Sequence, residues 1–330
     1  MLVAADVGGT KTDVAIFSRE GGPHVPIAKA RVHTASYPSL QAIIKEFLAK
    51  ENKSVDGACF AVAGPVIEGR VKTTNLPWTI EETTIARELN LSFPSVHLIN
   101  DLEAIARAVP SLRPSDVQTL NSGEPVSKGA IAVIAPGTGL GESFLTWDGI
   151  RYVAHSSEGG HSDFAPTDKR QLRLLEYLLE RLEHVSYERV CSGIGLPHIY
   201  RYLRDVEHIS EEPGISKLMD AASDPSFVII DHALRSAGQS RICAETINIF
   251  ISILANEASN LALKVLAMGG LYLAGGVVMH TLAALQPSHF MQQFKKKGRL
   301  SGLMTRIPVH VVTSPAALSG AAACGLENPQ

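Results

Sequence analysis

Apolar residues in this chain gather into short continuous runs that alternate with stretches of helical spacing. That is how strands and helices take turns in an α/β protein with a partly parallel sheet. The first run, Leu2-Val3-Ala4-Ala5, leads into Asp6-Val7-Gly8-Gly9-Thr10 and resumes as Val14-Ala15-Ile16-Phe17. A strand, a glycine turn and a second strand are predicted there. A third strand is expected over Ala28–His33, beyond the Gly-Gly-Pro turn at 21–23. Ser39 can cap a helix running to about Lys50, with Leu40, Ile43, Ile44, Phe47 and Leu48 at helical spacing. Ala58–Ala63 reads as a buried strand ending in Gly64-Pro65. Asn75–Thr79 is a loop before a helix over roughly Glu82–Leu89. Val96–Ile99 is a short strand with Asn100-Asp101 at its carboxyl end, and the next helix carries Leu102, Ile105, Ala106 and Val109 on one face.

Pro110-Ser111-Leu112-Arg113-Pro114 is rigid and polar, a natural crossing between domains. Beyond it the opening pattern returns. The β-branched run Ala130–Ala135 ends in Pro136-Gly137-Thr138-Gly139-Leu140-Gly141, and an apolar segment resumes at Ser143–Trp147. Two strand–Gly/Thr–strand hairpins about 130 residues apart imply a duplicated architecture. A strand is expected near Tyr152-Val153, and then a helix from about Lys169 to His184 with Leu172, Leu175, Leu179 and Leu182 as its buried stripe. Ser186 is placed to cap a short helix containing Glu188. Residues 205–227 are polar, contain Pro213 and Pro225, and read as an irregular surface connection. Helical spacing runs from Ile229 to Ala267. Leu271–Ala274 is a strand ending in a third glycine turn, Gly275-Gly276, that opens a helix. Phe294–Arg299 reads as a solvated basic run, Val309–Val312 as a last strand, and Ala316–Cys324 as a helix whose small residues allow close packing on a sheet.

Composition changes this picture little. The chain has 330 residues, 45% of them hydrophobic, and a net charge of −3, which suits a globular protein of two domains. The charge balance offers no attraction for nucleic acid or an anionic membrane. Cys59, Cys191, Cys243 and Cys324 are widely spaced, so neither a zinc site nor a disulfide framework is expected, and a reducing, cytoplasmic compartment fits. Residues 1–17 lack a basic region and a cleavage site and read as a first strand. The most apolar region, 242–283, is broken by Glu245, Asn256, Glu257, Asn260 and Lys264, against a membrane span.

The candidate chemistry lies at the strand ends. Glycines let backbone approach a ligand closely, and successive N–H groups can converge on phosphate oxygens. The same turns also serve as plain hairpin connections. In open α/β sheets ligands sit off the carboxyl ends of strands, which places Asp101 where a ligand would be. An Asp before a helix is equally an N-cap. Glu158-Gly159-Gly160-His161 adds a loop carboxylate and an imidazole. Glu142 would repel phosphate if it faced the second glycine loop, and in a hairpin it is expected to point away.

Taken together, Asp6-Val-Gly-Gly-Thr10, Asn75-Leu-Pro-Trp78, Ile99-Asn-Asp101, Gly137-Thr-Gly-Leu-Gly141, Glu158-Gly-Gly-His161, Glu188-Arg-Val-Cys-Ser-Gly193 and Leu273-Ala-Gly-Gly-Val277 resemble one family. The chain resembles the bacterial glucokinases of the hexokinase branch within the actin-like ATPase superfamily. The resemblance covers nearly the whole chain, in the family's order. It implies an α/β, ribonuclease H-like fold of two lobes with a cleft between them. The small domain would be 1–111, completed by about 308–330, and the large α+β domain 112–307. The lobes would close over the sugar and exclude water.

The resemblance also implies roles. Asp101 would be the general base. Asn100, Asp101, Glu158, His161 and Glu188 would bind the sugar, with Asn75 as a further sugar-loop residue and Trp78 as packing. Gly8, Gly9 and Thr10 would meet the terminal phosphates of ATP from one side and Gly137, Thr138 and Gly139 from the other. Gly275 and Gly276 would admit the adenosine, and Asp6 would hold Mg²⁺ through water. Lys11 stands where this branch commonly has asparagine. The related repressor/kinase (ROK) group carries a Cys-rich zinc motif after its Glu-x-Gly-His, whereas 162–190 here contains no cysteine. The implied reaction is ATP-dependent phosphorylation of glucose at the 6-hydroxyl. The alternatives are a kinase for fructose, mannose or an N-acetylhexosamine, or a sugar-binding regulator without turnover. A homodimer is a family expectation.

Overall fold

The computed structural model describes residues 1–330 except 74–75, 235–239, 286–287 and 328–330. The chain divides into two compact units, one of residues 1–113, 152–154 and 314–330, the other of 114–151 and 155–313.

The first unit is built on a five-stranded sheet. Its elements are β1 (Leu2–Val7), β2 (Lys11–Phe17), β3 (Ala28–His33), α1 (Leu40–Glu51), β4 (Gly57–Val62), the short ribbon β5 (Arg70–Lys72) and β6 (Thr79–Glu81), α2 (Glu82–Leu89), β7 (Val96–Asn100) and α3 (Asp101–Ala108). The strand order is β3-β2-β1-β4-β7, with β1, β4 and β7 parallel and the β1–β2–β3 meander antiparallel. Strand alternation sorts β1 cleanly between two cores. Val3, Ala5 and Val7 face Leu40, Ile43, Ile44 and Phe47 of α1. Leu2 and Ala4 face the C-terminal helix, Ala316–Glu327, through Ala321, Ala322 and Cys324. The small residues of that helix permit very close packing, since a Cβ on Gly320 would overlap the Ala104 carbonyl of α3. Trp78 is buried in the first of these cores, as packing.

The second unit contains β8 (Val117–Asn121), β9 (Ile131–Pro136), β10 (Leu140–Trp147), β11 (Tyr152–Ser157, of which 155–157 fall in this unit), α4 (Lys169–Leu179), α5 (Gly195–Asp205), α6 (Ile215–Ala221), α7 (Pro225–Leu234), α8 (Arg241–Val265), β12 (Gly270–Leu273), α9 (Gly276–His280), α10 (Ser288–Phe294), α11 (Ser301–Arg306) and β13 (Val309–Val312). Its sheet has the order β11-β10-β9-β12-β13-β8. The β9–β10 hairpin is antiparallel, and β12 runs parallel to both β9 and β13. From β11 to β13 this repeats the order β3-β2-β1-β4-β7, so the duplication implied by the two glycine hairpins is a duplication of topology. Because β13 pairs with β12, residues 309–312 belong to the larger, six-stranded sheet.

Three expected details differ. In α4 the buried residues are Gln171, Leu174, Tyr177 and Leu178, while Leu172 and Leu179 are 49% and 54% exposed. Gln171 can be buried because its amide oxygen accepts from Thr167 N and Oγ1 and its amide nitrogen, Nε2, donates to Ser252 Oγ. The stripe is therefore turned away from the all-leucine choice. Residues 205–227 are not all irregular, for α6 occupies 215–221 and Pro225 opens α7, a position where its missing N–H costs nothing. Lys297 of the basic run is half-buried, and its Nζ donates to Asn260 Oδ1 at 2.6 Å.

Candidate active site

In the first unit the candidate residues collect at the carboxyl ends of the parallel strands. Asp6 of β1 lies across from Ala61 of β4, which lies across from Ile99 of β7, so Asp6 and the Asn100-Asp101 pair share one end of the sheet. The turn beside them is tight. Gly8 N donates to Lys11 O at 3.0 Å, and a Cβ on Gly8 would press on that carbonyl, which is why the position is glycine. Thr34 Oγ1 donates to Gly8 O at 2.8 Å and anchors the hairpin from β3's end. Thr10 and Lys11 are exposed.

The question of the α3 N-cap resolves in favour of Asn100. Its Oδ1 accepts from Leu102 N at 2.9 Å and from Glu103 N at 3.4 Å, and its Nδ2 donates to Gly64 O at 3.1 Å. Asp101 is then the first helical residue, with Oδ1 accepting from Leu102 N at 2.9 Å. Burial raises its pKa above the usual carboxylate range, partly offset by its backbone hydrogen bonds. Asp6 is pushed up to about 6, first by burial, then by repulsion from Asp101 and Asp13. Two acids at one strand end, each holding its proton more tightly than in water, are equipped to accept a proton or to welcome a cation.

In the second unit the Gly137–Gly139 turn closes β9 onto β10, with Leu140 opposite Pro136. It is packed against the segment after Glu188, where Gly193 N donates to Gly137 O at 2.8 Å and Ile194 N to Thr138 O at 3.2 Å. Glu188 stands in a 3₁₀ turn, Tyr187–Arg189, and its Oε2 accepts from Leu140 N at 3.0 Å. Gly139 is glycine because a Cβ there would overlap that carboxylate. Ser186 precedes the turn, but its side chain caps nothing.

Glu158 and His161 flank a second 3₁₀ turn, Gly159–His161. The i to i+3 spacing sets them side by side, with Nε2 of His161 3.9 Å from Oε2 of Glu158, and both are exposed. The turn is clamped to β10 through its two glycines. A Cβ on Gly160 would overlap the Leu140 carbonyl, and one on Gly159 would overlap Glu142 Oε2. The third glycine turn lies beside the second, since Ala274 N donates to Ile134 O at 2.9 Å. Gly275 has φ 89° and ψ 159°, and its Cα abuts the Pro136 carbonyl. Both conditions exclude other residues. Gly276 opens α9.

Each unit thus brings its own candidates together: Asp6, Gly8, Gly9, Thr10, Asn100 and Asp101 in the first, Gly137, Thr138, Gly139, Glu158, His161, Glu188, Gly275 and Gly276 in the second. Asn75 lies outside the described residues. Sequence reasoning missed the surroundings of Glu142. It does turn away from the glycine loop, but into the interior, where it is 1% exposed beside the fully buried Glu257 of α8. No local signal in the sequence pairs it with Glu257, 115 positions further along.

A family model described as glucokinase matches residues 3–328. The glucokinase of Nostoc punctiforme is 38% identical over 98% of both chains. That of Synechocystis sp. is 35% identical, over 99% of this chain and 98% of its own. A crystal structure of glucokinase from an Antarctic psychrotroph superposes with a TM-score of 0.83 at 30% identity, covering 99% of each chain. A ROK-family glucokinase from Streptomyces griseus, solved with glucose and AMPPNP, shares the fold at a TM-score of 0.64 and 18% identity, covering 99% of each chain. The repeated sheet order, the glycine turns that close both hairpins and the acids at the strand ends agree with this full-length likeness: the chain has the actin-like ATPase fold and belongs to the glucokinase family, a family of sugar-phosphorylating enzymes.

Proposed function

We propose that this kinase transfers the γ-phosphoryl group of ATP to the 6-hydroxyl of glucose, with Asp101 as the base. The observation that carries the assignment of the base is that Asn100 takes the N-cap, leaving the Asp101 carboxyl beside Asp6 with its proton affinity raised by burial. The sugar oxygen attacks phosphorus, its proton passes to Asp101, and the bond to the ADP oxygen breaks. A carboxylate suffices, because the hydroxyl becomes acidic only as its bond to phosphorus forms. Asn100 holds the helix start so that Asp101 is fixed, and a second Nδ2 hydrogen remains to meet a sugar hydroxyl.

Glu158 and Glu188 supply acceptors for other ring hydroxyls, and His161 a further polar contact beside Glu158. Gly8, Gly9 and Thr10 in one unit and Gly137, Thr138 and Gly139 in the other would receive the phosphates on backbone N–H groups. The adenosine would lie against Gly275 and Gly276. Asp6 is the residue suited to Mg²⁺. Its proton affinity is high because a buried carboxylate lies near two others, and a divalent cation nearby would relieve that repulsion. Bound there through water, the ion would neutralise phosphate charge.

The proposal extends to a cytoplasmic enzyme. All four cysteines are buried thiols, and no described helix is long and apolar enough to cross a membrane. It extends also to a homodimer, an expectation of the family that sedimentation velocity tests. The function itself is tested by ADP release with a panel of glucose, mannose, fructose and N-acetylglucosamine, with the product identified by its phosphorus coupling. Highest kcat/KM on glucose with 6-phosphate as product is the expected result. Preference for another sugar would replace the substrate, and tight glucose binding with no ADP formed would replace the enzyme with a binding protein.

A further inference from the structure

The interior of the second unit contains a carboxyl pair that the phosphoryl transfer does not use. Glu142 of β10 and Glu257 of α8 are 1% and 0% exposed and lie beside each other as an acid pair. Their remaining partners are few. Glu257 Oε2 accepts from Asn260 Nδ2 at 3.0 Å, whereas Oε1 of each residue meets no hydrogen-bond donor among the described residues. Lys264 Nζ lies 3.6 Å from Glu257 Oε1, with its own side chain 60% exposed. Two buried carboxylates in contact cannot both be ionised at modest cost, so the pair holds a proton.

The position of the pair matters more than its charge. Glu142 Oε2 sits against the Cα of Gly159, in the space where any other residue would put its Cβ. Glu257 reaches the second sugar-side segment through Asn260, whose Nδ2 donates both to Glu257 Oε2 and to the Tyr187 hydroxyl, each at 3.0 Å. Asn260 is itself held by Lys297 at 2.6 Å. One acid pair is therefore the shared floor of the Glu158–His161 turn and of the residue next to Glu188.

We propose that Glu142 and Glu257 form a proton-sharing positioning pair that sets the Glu158–His161 turn and the Tyr187–Glu188 turn for sugar binding, so that loss of the shared proton weakens glucose binding without altering the phosphoryl-transfer step. Ionising both acids would drive their carboxylates apart and press on the two turns they touch, at Gly159 directly and at Tyr187 through Asn260. The Glu142 proton is held up to about 8, by burial first and by Glu257 second. The other titratable groups facing the pair behave differently. Burial raises Tyr187 and Cys191 above their ordinary values, which keeps both neutral through this range. Lys264 and Lys297 supply positive charge from the α8 and post-α10 sides, Lys297 with its pKa lowered by burial.

The inference rests on the reading of Glu158 and Glu188 as sugar ligands. The test is kcat and glucose KM from pH 6 to 9.5 at saturating ATP for the wild type, Glu142→Gln and Glu257→Gln. If only the protonated pair binds sugar, wild-type KM rises about tenfold between pH 7 and 9 while kcat stays within about twofold. Glu142→Gln, which keeps the volume and a permanent N–H toward Glu257, should flatten that rise. Glu257→Gln removes the repelling partner and should move the midpoint down. A Glu142→Gln enzyme with the wild-type alkaline rise, or a wild type with flat KM, overturns the proposal.

Thermal unfolding separates this failure from that of the sugar reading. Glu142 has a folded pKa raised from 4.5 to about 8, so its stabilisation is complete below 4.5, falls with a slope of one proton as pH rises to 8, and then levels. Glu142→Gln should lack that fall. If the fall is present but neither glucose KM nor the Glu158→Gln variant responds, the pair shares its proton and the turns do not bind sugar.

Discussion

Replacing Asp101 with Asn should slow the enzyme and stabilise the fold at the same time. The substitution keeps the side chain's shape, and Asn Oδ1 can still accept from Leu102 N, as Asp101 Oδ1 does at 2.9 Å. What it removes is the proton acceptor and a negative charge. Losing a general base costs about 10²- to 10⁴-fold in kcat, which is roughly 3–5 kcal/mol of barrier. Glucose affinity should stay within a few-fold, since the hydrogen-bonding outline is retained.

Stability should move the other way. A carboxyl whose folded pKa is raised stabilises the fold fully only below its unfolded value, and that contribution is lost as pH rises through the folded value. At pH 7 the Asp101 charge therefore weighs against the folded state, and it also contributes to holding Asp6 up at about 6. The Asp6 shift, from 3.8 to about 6, is worth roughly 3 kcal/mol between its two protonation states, of which Asp101 supplies the second-largest part. The variant should accordingly melt at or above the wild-type temperature at pH 7, with the gain vanishing near pH 3.5. ADP release read beside calorimetric melting checks both arms. Near-normal turnover would remove Asp101 as the base, and a clear loss of stability would mean its carboxyl is a structural acceptor.

Asn100→Ala should lower stability by about 1–2 kcal/mol, because two helix N–H groups lose their cap, whereas Asn100→Asp keeps the capping oxygen and should melt closer to wild type. Gly275→Ala must enter a backbone region reserved for glycine and overlap Pro136 O, so a loss of about 1–3 kcal/mol and a raised ATP KM are expected. Gly276→Ala, with open space at its Cβ, should keep the wild-type melting temperature, so any rise in its ATP KM reports the adenosine contact alone. Glu158→Gln should raise glucose KM about tenfold with ATP KM unchanged, and a response confined to ATP would place the turn in the nucleotide pocket.

Much of the fold was legible because its signals are local. Gly8, Gly139, Gly159, Gly160 and Gly275 each occupy a place where a Cβ would strike a neighbouring group, so glycine turns after apolar runs marked real constraints. The strand-end position of Asp101 followed from the same alternation of strand and helix. The stripe of α4 was misread because leucine spacing alone cannot reveal that Gln171 finds Thr167 and Ser252 inside the core. Pro225 looked like a loop residue, yet at a helix start proline is favourable. That β13 pairs with β12 in the larger sheet is a contact between distant segments, which no local pattern announces. The acid pair of Glu142 and Glu257 was invisible for the same reason, since 115 positions separate its members in sequence.

The duplicated sheets show why that pair needs a proton. The third residue of the second hairpin strand is acidic in both units, Asp13 in β2 and Glu142 in β10, and both are buried. In the first unit the neighbouring edge strand places Arg31 directly across from Asp13, and the guanidinium grips the carboxylate with bonds of 2.8 and 2.7 Å. Such a bidentate pair settles the charge with a fixed cation. In the second unit no arginine reaches Glu142 among the described residues, and the partner that arrives from α8 is another acid. One position in a repeated fold thus meets the same cost of a buried carboxylate in two ways, and only the second depends on pH. Converting Glu257 to Gln moves the second unit toward the first, because it replaces a repelling charge with a neutral partner. A pH response whose midpoint is unmoved by that change would locate its source outside the pair.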